Sequence, residues 1–324
     1  MLHSVFTEFE AYAEVIQNAS MDMRLPSLRT PRWEFMHASV GRIHVQYALE
    51  GGGNIAEGCT FRDGWAFFQQ SAHGTDGLAN GRPLATDEVF VIPPGADFCL
   101  ACKPKHEWAS VFIPASDLFQ PTDPSRRTDF PLLDELTGGQ ESALPTRPFT
   151  VKPSNGLAHT FKSLVCGFLS SARLEPSILF PSAASLAFRE ELISTIRRIL
   201  QSPRSPHCKH FDRWHEQTTS AIQLAATRPA NALSLPTLAR LIRVPERTLR
   251  TAFQRQYGIS PVEFLRIDRL HEARRILRTG CPDQTSVTKV AIALGFWDLG
   301  RFAIRYRRLF GEKPSVTLRT AVRR

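Results

Sequence analysis

No apolar run in the 324-residue sequence approaches the roughly 20 residues that a bilayer-spanning helix needs, which excludes a helical membrane protein. The opening stretch, MLHSVFTEFEAYAEV, carries acids where an export signal carries bases and a leucine-rich core, so a cytoplasmic protein without membrane contact is expected. Glycine (19) and proline (23) are too sparse for a collagen-like or low-complexity chain. The six cysteines, Cys59, Cys99, Cys102, Cys166, Cys208 and Cys281, are scattered, and reduced thiols are expected. Cys99 and Cys102 form a C-x-x-C, but no second pair follows and FCLACKP reads as a strand, so both are expected in a core. His37, His44, His73 and His106 lack a closely spaced His-x-His with a following Glu, and no metal or other cofactor is expected. A Gly-rich phosphate loop, a G-x-S-x-G and a close carboxylate pair are also missing, leaving catalysis without candidate machinery.

What is present is apolar substance and unevenly placed charge. With 42% hydrophobic and 10% aromatic residues over this length, two domains with real cores are expected. The formal charge is +9, yet Pro203 to Arg324 holds 23 basic against 9 acidic residues, or +14, and the remainder is −5. Nearly all the bases of the second part are arginines, whose planar forks suit phosphates and guanine edges, so nucleic acid is the leading partner on charge. A merely solvated basic face is the bland alternative.

The texture changes along the chain. Phe6, Phe9, Ala13 and Ile16 share one side of a helix predicted over Val5 to Ala19. From Trp33 to about Phe119, short stretches such as RIHVQYAL, WAFFQQ and EVFVIPP alternate with Gly, Asn and Asp turns, the pattern of a sandwich or small barrel, with a hairpin signal at Asn80-Gly81. Gln120 to Pro153 reads as loop. Helical spacing returns with Leu157, Phe161, Leu164, Val165, Phe168 and Leu169, and again over Ala183 to Leu200 with Leu186, Phe188, Leu192, Ile196 and Ile199. This is a helical hairpin that packs either on the strands or on a second copy. SPRSPHCKH, Ser202 to His210, is the best linker.

The carboxy-terminal part repeats itself. Leu235, Leu238, Ala239 and Ile242 mark one short helix, and Leu249, Phe253 and Tyr257 mark a second, closed by Gly258 and Pro261. Val287, Val290, Ala291 and Leu294, then Phe302, Tyr306 and Phe310 with Gly311 and Pro314, repeat this at an offset of 52 to 53 residues. Each copy is a helix-turn-helix arrangement. Between them, Pro261 to Thr279 reads as one continuous helix stopped by Gly280, a rigid spacer.

These residues carry a resemblance. The R-T-L-R-x-x-F of Arg247 to Phe253, the G-x-S-P of Gly258 to Pro261, the R-L-x-x-A-R-R-x-L of Arg269 to Leu277 and the A-L-G-F of Ala293 to Phe296 together resemble the DNA-binding domain of AraC/XylS-type transcriptional regulators, over about Phe211 to Arg319. The strand-rich half is similar to the cupin-like sensor half of such regulators, with FVIPPGADF at its Pro-Gly turn. The resemblance implies an α+β protein of two domains. Residues 1–202 would be a cupin-like β-barrel or sandwich for sensing and dimerisation, with the helical hairpin at about 154–200. Residues 203–210 would be a linker, and 211–324 an all-α domain with two helix-turn-helix units.

Groove physics then names candidate contacts. A helix burying Leu249, Phe253 and Tyr257 turns Glu246, Arg247, Arg250, Thr251 and Gln254 outward. Arg247 and Arg250 are candidate base readers, with phosphate contact as the alternative. Pro245 stands where relatives place a capping Ser or Thr, so a proline-fixed first turn is expected without a side-chain cap. In the second unit Asp298 is a suitable cap, yet Leu299, Gly300, Ala303 and Ile304 face outward among Arg301, Arg305, Arg307 and Arg308. Phosphate contacts with methyl contacts from Leu299 or Ile304 are expected there, or packing on a protein such as RNA polymerase. On the sensor side Tyr47, Trp65, Phe67 and Phe98, with Phe68 and Phe90, either line a mouth for a small-molecule effector or are plain core.

The preferred reading is an effector-responsive homodimeric regulator, in the sense of an activator, that binds promoter DNA in two successive major grooves and engages RNA polymerase. The alternative is a cupin-type metal enzyme or a methyl-accepting repair protein with an appended DNA-binding domain, which stoichiometric metal content would favour.

Overall fold

The structure, a computed structural model, describes residues 2–16, 19–72, 77–119, 145–205, 211–227, 234–281 and 284–320. Strands β1 (Leu2–Phe6), β3 (Leu28–Val40), β4 (Ile43–Gly52), β6 (Gly64–Ala72), β9 (Val89–Ile92), β11 (His106–Pro114) and β12 (Phe149–Val151) form an antiparallel sheet in the order β1-β3-β4-β11-β6-β9-β12. A second sheet runs β2-β5-β10-β7-β8, from β2 (Ala19–Arg24), β5 (Asn54–Thr60), β7 (Gly77–Ala79), β8 (Arg82–Leu84) and β10 (Asp97–Cys102). The two sheets face one another over Phe35, Ala48, Phe68, Phe90 and Trp108 on one side and Ala56, Phe98, Leu100 and Cys102 on the other. This is the expected sandwich, and the two-residue turn between β7 and β8 is the expected hairpin. Asn80 and Gly81 both take positive φ, 49° and 75°, which matches a strand pair's right-handed twist. A side chain at Gly81 would meet the Trp214 ring at 3.2 Å, so this turn also needs glycine for close approach to the helical domain.

The helical hairpin is α3 (Leu157–Leu174) and α4 (Ala183–Leu200), and its partner is the outer face of the seven-stranded sheet. Phe161, Val165 and Leu169 of α3 and Leu192, Ile196 and Ile199 of α4 are fully buried against Val45, Trp65, Val91 and Val111. Each such side chain contributes roughly 1.5–3 kcal/mol relative to exposure. Phe188 stacks on Phe168 at 3.8 Å, but Leu186 turns outward and is exposed, contrary to the shared face expected for it. Ser182 caps α4 in a reciprocal pair with Ser185.

Two other expectations need correction. The helix over Val5 to Ala19 shrinks to α1 (Phe9–Ala13), because Leu2–Phe6 pairs with Trp33–His37 of β3. An isolated helix of that length is marginal in water, and a sheet edge offers hydrogen bonds that local periodicity cannot reveal. Phe9 and Tyr12 are still buried, so the apolar spacing is used. The loop predicted over Gln120 to Pro153 lies mostly outside the described residues, but its end forms edge strand β12 on β9. The linker predicted at 203–210 begins tied down: the Lys152 N–H donates to the Pro203 carbonyl at 3.3 Å and the Ser205 N–H to the Thr150 carbonyl at 2.8 Å, while 206–210, with Cys208, lie outside the described residues.

The remaining helices are α2 (Ala115–Phe119), α5 (Phe211–Ala226), α6 (Leu235–Leu241), α7 (Glu246–Tyr257), α8 (Pro261–Thr279), α9 (Val287–Ala293), α10 (Leu299–Phe310) and α11 (Pro314–Thr320). Of these, α7 packs on β7 and β10 and α8 on β2 of the five-stranded sheet, while α10 meets β3 of the other sheet. Along β10 the side chains alternate: Phe98, Leu100 and Cys102 point between the sheets, while Cys99 and Ala101 join a core with Phe211, Leu235, Leu249 and Phe253. Cys99 and Cys102 are buried free thiols on opposite faces of one strand, as the sequence predicts for core positions. Among the described residues, no helix is long and apolar enough to cross a membrane.

Candidate nucleic-acid interface

The two repeated units are built alike. In the first, Ser234 Oγ accepts the Thr237 N–H at 3.3 Å and caps α6. The chain turns through Arg243, at φ 58°, into α7, whose N-cap is Pro245 with no side-chain bond, as predicted. In the second, Ser286 Oγ accepts the Lys289 N–H at 3.1 Å to cap α9, and the turn runs through Gly295, at φ 78°. The same left-handed corner is thus made by arginine once and by glycine once, and the arginine carries a strain of about 1–2 kcal/mol that glycine avoids. Asp298 Oδ1 accepts the Arg301 N–H at 2.9 Å and starts α10. Leu249, Phe253 and Tyr257 are buried beneath α7, and Phe302 and Tyr306 beneath α10, as their spacing predicts.

Burying those faces turns the others outward. On α7, Arg247, Arg250, Thr251 and Gln254 are exposed and Glu246 is half-buried. Arg250 forks onto Glu246 Oε1 at 2.5 and 2.9 Å, Thr251 Oγ1 donates to the Arg247 carbonyl at 2.9 Å, and Gln254 Nε2 donates to the Gly258 carbonyl at 3.1 Å. Among the described residues the Arg247 guanidinium meets no carboxylate, so its fork, unlike that of Arg250, is uncommitted.

On α10, Arg301, Arg305, Arg307 and Arg308 are exposed, and the helix carries no acid. Arg301 touches Asp298 at 3.2 Å. Between the arginines lie Leu299, Gly300, Ala303 and Ile304. Leu299 is 39% and Ile304 69% exposed, Gly300 is exposed and Ala303 half-buried. Trp297, just before the cap, is 65% exposed. The sequence reading passed over this tryptophan, although a large apolar residue in the turn of a helix-turn-helix is itself a signal.

Helix α8 holds the units apart and fastens them to the strand half. Phe264, Ile267, Leu270, Ala273 and Leu277 are buried along it. Arg274, only 5% exposed, pairs its Nε with a Glu10 carboxylate oxygen of α1 at 2.6 Å and donates from Nη1 to Glu312 at 2.7 Å, over the Phe310 ring at 4.8 Å. Arg24 of β2 meets Asp268 at 2.8 Å, and Tyr257 Oη donates to Glu57 of β5 at 2.6 Å. His271 Nε2 accepts the Leu25 N–H at 2.9 Å, and burial pushes the imidazole below its usual range.

Between the sheets lies a cavity of about 60 Å³. Phe98 and Phe68 line it; Phe67 borders it but packs, like Trp65, in the hairpin-side core, and Tyr47 and Trp65 are not among its lining residues. Strand alternation sends both to the other face of the sheet, where Trp65 packs edge-on to Phe119 and Tyr47 lies against the hairpin core. Their place is taken by polar groups. Glu50 accepts from Tyr12 Oη at 2.5 Å, Trp108 Nε1 at 2.6 Å and Asn54 Nδ2 at 2.6 and 2.7 Å. Gln46, fully buried on the cavity wall, has neither amide atom hydrogen-bonded. The sequence reading singled out aromatics and did not name these polar residues. No group of three metal-ligating side chains occurs among the described residues, and His73 lies outside them.

Known proteins bear on the helical half. A helix-turn-helix domain family matches residues 238–320. The XylDLEGF operon transcriptional activator 2 of Pseudomonas putida is 37% identical over 97 residues, covering 30% of this chain and 62% of that protein. Over this stretch the helical half is similar to regulators of the AraC/XylS type. A probable thc operon regulatory protein of Rhodococcus erythropolis is 35% identical over 31% of the chain and 30% of its own length. A solved probable AraC family regulator from Rhodopseudomonas palustris is 38% identical over 34% of this chain and 97% of its own, with a TM-score of 0.29. The chain thus spans less than two thirds of these two curated relatives, and the AraC/XylS likeness is carried by the DNA-binding part.

Proposed function

We propose that the protein is a sequence-specific DNA-binding transcriptional regulator in which α7 and α10 enter successive major grooves of one promoter duplex. The observation that carries this reading is the pair of capped helix-turn-helix units on one rigid helix, each turning an arginine-rich face to solvent. Arg247, Arg250, Thr251, Gln254 and Glu246 read the first groove, and Arg301, Arg305 and Arg308 with Leu299, Gly300, Ala303 and Ile304 meet the second. Consecutive grooves lie about 34 Å apart on one face of B-DNA, so a single chain covers an asymmetric site of two turns.

Residues 1–202 serve as the sensor and dimerisation domain and residues 211–324 as the DNA-binding domain, in a cytoplasmic homodimer. A small-molecule effector occupies the inter-sheet cavity, and the unpaired Gln46 amide supports this assignment, since a buried amide left without partners costs about 1–3 kcal/mol until something bonds to it. The curated relatives named above include a transcriptional activator, which supports activation through RNA polymerase. The test is hydroxyl-radical footprinting of the full-length chain on duplexes that it selects from a random pool. Protection of two minor-groove-flanked segments one helical turn apart is expected, and protection of one turn only would refute the two-groove reading.

A further inference from the structure

The reading faces of α7 and α10 differ in kind. That of α7 is polar throughout, with Arg247, Arg250, Thr251 and Gln254 exposed. That of α10 offers base edges no side chain able to form a directional pair between its arginines: Leu299, Gly300, Ala303 and Ile304 make an apolar strip, extended at the helix start by Trp297. Leaving Ile304 69% and Trp297 65% exposed gains nothing for the fold, so the strip needs an occupant.

The charge around the strip says which. Arg301, Arg305, Arg307 and Arg308 frame it, and α10 contains no carboxylate. A protein partner complementary to four arginines would have to be strongly acidic and apolar at once. The major groove of DNA supplies both features in one object, phosphates along its rims and, on its floor, the thymine C5-methyl as its apolar group. The strip's position at the amino-terminal half of the second helix of the unit is where base edges are met.

We infer that the second helix-turn-helix unit is a thymine-methyl reader: Leu299 and Ile304 bury C5-methyl groups of its half-site while the surrounding arginines hold the phosphates. The chain therefore reads its two half-sites by different chemistry, guanine hydrogen bonding through α7 and methyl contact through α10. This inference rests on the DNA-binding reading given above.

The test uses the full-length chain and a duplex that it selects from a random pool, prepared with thymine or with deoxyuridine in place of thymine in each half-site in turn. Deoxyuridine keeps the hydrogen-bonding edge and removes only the methyl. Measured by fluorescence anisotropy at fixed salt, uracil substitution in one half-site should weaken binding about fourfold for each methyl that α10 buries. The variants Ile304→Ala and Leu299→Ala should erase that difference while retaining the salt dependence of binding. Equal affinity of the thymine and uracil duplexes overturns the inference and leaves DNA binding intact. Loss of promoter activation by Ile304→Ala with thymine discrimination unchanged also overturns it and assigns the strip to a protein partner. Failure to select or bind any duplex removes the DNA-binding reading, and the inference with it.

Discussion

Replacing Arg274 with methionine tests whether the two halves of the molecule are joined by one buried charge network. The guanidinium is 5% exposed and meets Glu10 of the strand half, Glu312 of the helical half and the face of Phe310. Methionine keeps much of the stem's apolar contact and removes the charge. Glu312 then loses its cation, and Glu10 retains only Arg278, at 3.3 Å. Breaking a buried ion network by removing one partner costs about 3–5 kcal/mol, whereas an exposed pair costs about 0–1 kcal/mol. The larger figure applies because the guanidinium is sealed and the carboxylates are only 22% and 31% exposed. Urea unfolding followed by tryptophan fluorescence should show this loss, and the triple change Arg274→Met, Glu10→Gln and Glu312→Gln should recover most of it by removing the stranded charges. A loss below about 1 kcal/mol for Arg274→Met would refute the claim, placing the network with ordinary surface pairs.

Arg247→Ala should cost about 1–3 kcal/mol of specific DNA affinity by anisotropy, and Arg250→Ala less, because Arg250 must first leave Glu246; equal loss on random DNA would assign Arg247 to phosphate. His271 accepts the Leu25 N–H in its neutral form, and burial holds its folded pKa below the unfolded value near 6.5. The unfolded chain therefore binds more protons in that window, so stability present above pH about 6.5 is lost as pH falls toward the folded value. His271→Gln, whose amide oxygen can still accept, should flatten that acid limb in urea titrations at pH 5 to 7, and an unchanged profile would clear His271. Gln46→Leu removes a buried amide without partners, so it should raise the unfolding free energy of the free protein by about 1–3 kcal/mol while abolishing effector response; a destabilised variant would mean that the amide is satisfied in the fold.

The helical half was legible because its structure is local. A 3.6-residue period, Gly258 and Gly311 as stops and the 52-residue offset specify each element within a few turns of chain, and the outward faces follow from which side is buried. The inward orientation of Tyr257, by contrast, serves a contact that no local pattern encodes, its hydroxyl bond to Glu57, 200 residues away. The strand half was legible as texture and turn chemistry, down to Asn80-Gly81, but the register was not. Which face Tyr47 and Trp65 take, the hairpin side, was not legible because a shift of one residue in a strand exchanges the faces of a sheet. Phe6 was read as helix because apolar spacing over one or two turns does not separate a helix from a strand edge plus a short turn. Glu50 and Gln46 were missed because a polar residue inside a strand run looks solvent-facing until both faces of the sheet are known to be covered.

The alternation along β10 makes the five-stranded sheet a party wall. Leu100 and Cys102 furnish one room, Cys99 and Ala101 the other, and the thickness between them is a single backbone. Trimming or enlarging any of these four side chains moves both tenants at once, so variants along this strand cannot be sorted into those that affect the chamber between the sheets and those that affect the footing of α7.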